Sequence, residues 1–124
     1  MTNKKIFIVD DDPMIRMLVE DHLSKNPLYE IQSFPTGEEC LKNLNEMPDV
    51  IILDFELNSV VSDAKNGLQI LQEIKKIDKD ISVIMLSSQK QYGKATQTII
   101  KGALQYVVKG DDAYAQIEKI LLSL

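Results

Sequence analysis

Three runs that are apolar at every position, IFIV at 6–9, VIIL at 50–53 and VIML at 83–86, constrain this chain more than any other feature. A strand with one wet face alternates apolar and polar residues. A strand apolar throughout is buried on both faces, the habit of parallel sheets covered by helices. Between these runs the apolar period changes. Ile15, Leu18, Val19 and Leu23 recur at helical spacing in PMIRMLVEDHLSKN, and Leu68, Leu71, Ile74 and Ile77 do so in NGLQILQEIKKID. The alternating YEIQSF reads as a strand nearer an edge, and TGEECLKNLNEM as a helix opened by Thr36 with Glu39 as its capping-box partner. YGKATQTIIKGA reads as a weaker helix ending near Gly102, followed by a last strand, LQYVVKG, and a last helix, DDAYAQIEKILLSL. Strand and helix therefore alternate five times. Right-handed crossovers make this a doubly wound α/β fold with a five-stranded parallel sheet.

Ligands of such sheets bind at the carboxyl ends of the strands. The first strand runs into Asp10, Asp11 and Asp12, the third ends at Asp54, the fourth at Ser87 and the fifth at Lys109. Each residue alone has an ordinary explanation as a turn or cap, and Asp12, ahead of Pro13, is assigned to the helix N-cap. Together they bring carboxylates, a hydroxyl and an ammonium to one edge. Converging carboxylates call for a hard cation, and magnesium suits a site with few protein oxygens. Asp11 and Asp54 are the first ligand candidates, with Asp10 direct or through water. One carboxylate can also act as a nucleophile and form an acyl phosphate.

Bulk properties exclude several classes. A length of 124 residues fits one domain, and a net charge of −5 argues against a nucleic-acid surface. The lone Cys40 cannot form an internal disulfide and suits a reducing compartment. No run approaches the roughly 20 apolar residues that span a bilayer. The expectation is a cytoplasmic protein with no membrane association. His22, Cys40 and the methionines are read as structural.

VDDDP at 9–13, IILDF at 51–55, VIMLSS at 83–88 and GALQYVVKG at 102–110 resemble the receiver domain of two-component response regulators, of the single-domain chemotaxis-regulator kind. The resemblance covers essentially the whole chain. It implies a flavodoxin-like (βα)5 fold, a single receiver domain over 1–124 with no output domain in it, and a signalling phosphoacceptor that is not a turnover enzyme. By resemblance Asp54 is the phosphoacceptor, and Asp10 and Asp11 are the acidic pair that binds Mg2+ with Asp54 and the backbone carbonyl of Glu56. Ser87 and Lys109 engage the phosphoryl group, and Ser87 and Tyr106 form the switch. Glu56 and Gln89 flank the path of attacking water and tune the phosphoryl lifetime. The implied donor is a sensor histidine kinase or a histidine phosphotransfer protein. The output is an unidentified downstream protein, with dimerisation possible on activation.

The chain departs from the family pattern where Asn58 and Gly110 replace prolines, and where twelve residues separate Asp54 from Gly67, an enlarged loop over 56–66. A trans bond is expected before Gly110, because cis without proline costs about 2.5–4 kcal/mol. Two other readings remain: a degenerate receiver acting as a phosphorylation-independent interaction module, and a magnesium phosphatase with an aspartyl nucleophile. The second lacks the usual general acid two residues after Asp54, where Glu56 stands.

Overall fold

A computed structural model describes residues 3–57, 63–88 and 92–124, with Tyr92 by its backbone alone. Strand and helix alternate through β1 (Lys4–Val9), α1 (Pro13–Leu23), β2 (Tyr29–Phe34), α2 (Gly37–Lys42), β3 (Val50–Asp54), α3 (Gly67–Ile77), β4 (Ser82–Ser87), α4 (Tyr92–Ile100), β5 (Gln105–Val108) and α5 (Ala113–Leu122). The five strands are parallel in the order β2-β1-β3-β4-β5. The doubly wound fold expected from the apolar runs is the one found, with β2 at an edge.

The period-two geometry of a strand sends alternate residues of each run to opposite faces. On one face Phe7, Val9, Ile51, Leu53, Val83 and Met85 pack with Ile70, Leu71 and Ile74 of α3 and Cys40 of α2. On the other, Ile6, Ile8, Ile52, Ile84 and Leu86 meet Val19 and Leu23 of α1 and Ile117 and Leu121 of α5. Two layers of helix thus enclose a sheet whose central strands β1 and β3 are apolar on both sides. Cys40 sits fully inside the first layer, and burial pushes its thiol up to about 12. His22 is half-exposed, pairs with Glu118 at 2.9 Å and stacks on Tyr114.

Four local expectations are corrected. The helix opened by Thr36 stops at Lys42 and gives way to a 3-10 turn at Leu44–Glu46. Asn43 is the cause: its side-chain amide bonds the Glu39 carbonyl at 2.8 Å, competing with the helix ladder. Thr36 caps that helix through Glu39 N at 3.2 Å, but among the described residues Glu39 returns no bond. A complete capping box forms instead at Asn66 and Gln69, at the start of α3. Leu18 and Ile77 are exposed rather than inward; each helix already fills its inner stripe without them. Gly102 does close α4, at φ 113°, where a side chain would be strained.

The switch in strand order lies between β1 and β3, so the crevice for a ligand opens above their carboxyl ends. That rule was drawn partly from flavodoxin-like proteins themselves.

Candidate functional site

Asp10, Asp11 and Asp12 follow β1 directly and divide their work. Asp12 is exposed and caps α1, its Oδ1 accepting Met14 N at 2.9 Å, with Pro13 in the first turn. Asp10 is buried: its Oδ1 accepts Asp12 N at 2.9 Å, and its carbonyl accepts Arg16 Nη1 at 2.7 Å. The turn is thereby braced from both sides. Asp10, Asp11 and Asp54, all buried, each offer a carboxylate oxygen within 4.8 Å of the others, a group that could hold a metal ion.

Asp54 is the last residue of β3 and 1% exposed. Its Oδ1 accepts Lys109 Nζ at 3.1 Å and Glu56 N at 3.1 Å. Its Oδ2 is buried with no hydrogen-bond partner among the described residues. An unpartnered buried carboxylate oxygen is costly unless a cation or donor completes it. Burial, then the Asp10 charge, hold the Asp54 carboxyl well above the usual carboxylate range, against the opposing pull of Lys109. Asp54 is thus incompletely compensated by the described residues around it.

Lys109 leaves the end of β5 and lies between two of them, 3.1 Å from Asp54 Oδ1 and 3.2 Å from Asp10 Oδ2. Burial lowers the ammonium's pKa, but the charges of Asp54 and Asp10 outweigh that and raise it. The lysine is aimed without proline after it: among the described residues no peptide bond is cis, and Lys109 N donates to Ser87 O at 2.7 Å, tying the ends of β5 and β4.

Ser87 ends β4 and is fully buried. Its hydroxyl donates to Glu56 Oε1 at 2.8 Å, and the Ser88 hydroxyl reaches the same oxygen at 3.0 Å. Burial raises the Glu56 pKa, but the Ser87 hydroxyl, the neighbouring Asp54 carboxyl, the Ser88 hydroxyl and the charge of Lys109 outweigh it and lower it overall. Nothing in residue spacing pointed to this contact, because residues 31 apart in sequence meet only through the register of β3 with β4.

Tyr106 is half-buried on β5, its ring edge-on to Phe55 with centroids 6.3 Å apart. Lys94 of α4 lies 5.3 Å over the same Phe55 ring. Phe55, the residue after Asp54, therefore touches both β5 and α4, a role that no sequence pattern marks. Gln89 and Asn58 lie outside the described residues, as do residues 58–62 of the enlarged loop. At the loop's near end Leu57 is buried in the core, and at its far end Lys65 bonds Glu38 through its amide and Glu73 through its ammonium. Among the described residues no helix is long and apolar enough to cross a membrane.

The family model for the response regulator receiver domain matches residues 6–120. A chemotaxis protein CheY of Bacillus subtilis is 30% identical over 117 residues, covering 94% of this chain and 93% of its own. A probable transcriptional regulator, ycf27, of Guillardia theta is 37% identical over 109 residues; the match takes in 87% of this chain but only 40% of that longer protein. Among solved structures, the CheX–CheY–BeF3–Mg2+ complex of Borrelia burgdorferi superposes with a TM-score of 0.84 at 25% identity, covering 98% of this chain and 89% of that one.

Proposed function

The chain belongs to the response regulator receiver domain family, and from that premise we propose that Asp54 accepts a phosphoryl group from the phosphohistidine of a sensor histidine kinase or histidine phosphotransfer protein, with Mg2+ bound beside it. The observation that carries this reading is the state of Asp54: buried, paired to Lys109 through one oxygen, unpartnered at the other, and grouped with Asp10 and Asp11.

The donor set fits a hard divalent cation. Asp10, Asp11 and Asp54 would hold it, with the Glu56 backbone carbonyl as a further oxygen. Bound there, magnesium would neutralise the crowded carboxylates and the charge on the incoming phosphoryl oxygens. The chain's own residues do the rest. Asp54 attacks phosphorus in line as the phosphorus–nitrogen bond breaks, and the electron pair leaves on the donor imidazole. Lys109, 3.1 Å from Asp54 Oδ1, favours the carboxylate that must attack and then faces the phosphoryl oxygens. The Ser87 hydroxyl turns to the phosphoryl group, and Tyr106 follows inward. A hydrogen bond to a charged group contributes about 1.5–3 kcal/mol, enough to shift a two-state equilibrium about tenfold to a hundredfold. The switched surface then engages a downstream protein, or a second copy of the chain.

Intact mass after incubation with magnesium and a small acyl phosphate tests this. One added phosphoryl group, dependent on magnesium and missing in Asp54→Asn, is expected. Absence of both that adduct and beryllofluoride binding with magnesium would sink the reading and favour an interaction module that works without phosphorylation.

A further inference from the structure

Glu56 makes an unusual use of its position. Its amide donates to Asp54 Oδ1, so the residue is tied to the acceptor, while its side chain crosses to the end of β4. There Oε1 accepts two hydroxyls at once, from Ser87 at 2.8 Å and Ser88 at 3.0 Å. A hydroxyl has one proton to donate. While the Ser87 proton points at Glu56 it cannot point at a group on Asp54.

We propose that Glu56 is a clasp for the unmodified state, holding the Ser87 and Ser88 hydroxyls so that a phosphoryl group on Asp54 must win Ser87 from it. The proposal rests on the phosphoacceptor reading above and adds to it a residue that opposes activation. Glu56 acts through the serines and is a positioning residue. Bonds to a carboxylate are stronger than bonds to a neutral acceptor, so the clasp raises the threshold for switching. One carboxylate oxygen thus accommodates both of the adjacent serine hydroxyls.

The parent and its variants are titrated with beryllofluoride in saturating magnesium, and affinity is the readout. Glu56→Ala should bind the mimic about tenfold more tightly than the parent, since no clasp is broken. A carboxylate near an anion could do the same by repulsion alone, and two comparisons separate these causes. Glu56→Gln keeps an acceptor oxygen but no charge, so a clasp leaves it closer to the parent, whereas repulsion makes it equal to Glu56→Ala. With Ser87→Ala and Ser88→Ala in place, Glu56→Ala should no longer tighten binding. An undiminished gain in that background overturns the clasp. So does an amide variant that matches alanine. A parent that binds no mimic at all overturns the phosphoacceptor reading and the clasp with it, an outcome distinct from both.

Discussion

Helices α3 and α4 invite comparison. Each follows a strand whose carboxyl end carries a site residue, Asp54 before α3 and Ser87 before α4, and they are eleven and nine residues long. α3 drives Ile70, Leu71 and Ile74 wholly into the core and opens on a complete capping box. α4 fully buries one described side chain, Thr98, whose hydroxyl folds back onto the Ala95 carbonyl, and leaves Ile99 and Ile100 exposed. Asp54 is therefore followed by an anchored helix and Ser87 by a lightly held one. Elements that move in signalling are drawn from the low-stability end of a structure. Among the described residues α4 buries little apolar side chain, so one hydrogen bond gained or lost at Ser87 would weigh more on α4 than on α3.

The largest difference should appear in core truncations. Ile74→Ala removes a fully buried side chain and should cost about 2–5 kcal/mol in urea unfolding. Ile100→Ala, at 74% exposure, should stay within about 0.5 kcal/mol of the parent. Similar losses at both sites would break the comparison outright.

Glycine substitutions should differ in sign. A Cβ on Gly67 would overlap the Asp54 carbonyl oxygen and lie 2.7 Å from Phe55 Cα, so α3 starts in contact with the backbone of Asp54 itself. Gly67→Ala should cost about 1–3 kcal/mol and weaken beryllofluoride binding, because the backbone that must give way is that of Asp54. A Cβ on Gly93 in α4 meets nothing within 4 Å. Gly93→Ala should stabilise the fold by about 0.5–1 kcal/mol through helix propensity. Thermal melts of the two variants, moving in opposite directions, are the measurement.

The cap is a smaller matter. Asn66→Ala strips the bond to Gln69 N and should cost about 1 kcal/mol, with faster amide exchange confined to the first turn of α3. Exchange that spreads along the whole helix would mean that the cap, rather than Ile70, Leu71 and Ile74, anchors α3.

Much of this contrast was legible in the residues. The central strands announce themselves because apolar runs buried on both faces admit few alternatives, and YGKATQTIIKGA already reads as a weaker helix. Asp10, Asp11, Asp54, Ser87 and Lys109 were found because strand ends in a parallel sheet share one edge, which follows from topology alone. What escaped depends on where side-chain atoms point. Sequence spacing cannot say that Glu56 turns toward β4, since a single rotamer decides it. Nor does it distinguish the Thr36 and Asn66 caps, which carry equally good signatures: Glu39 stays exposed, while Gln69 turns back to the chain. Leu18 and Ile77 obey the helical period yet fall outside the stripe that the sheet can cover.

The smallest effect concerns a ring contact that reaches α4 from Phe55. Lys94 Nζ lies 5.3 Å over Phe55, and the Phe55 ring in turn meets Tyr106 edge-on. A cation over an aromatic face near the surface contributes about 0.5–1 kcal/mol. Removing Lys94 alone confounds that contribution with every other interaction of its side chain, so the cycle pairs Lys94→Met, which keeps an apolar stem, with Phe55→Leu. A coupling of about 0.5 kcal/mol between the two is expected, measured as the excess of the double variant's stability over the sum of the singles. Such a value places this tether below the capping box of α3 and within reach of one hydrogen bond at Ser87. A coupling several times larger would mean that α4 is fastened through Phe55 after all. Freedom of the fourth helix would then depend on releasing that ring, and the contrast with α3 would be one of attachment point rather than of strength.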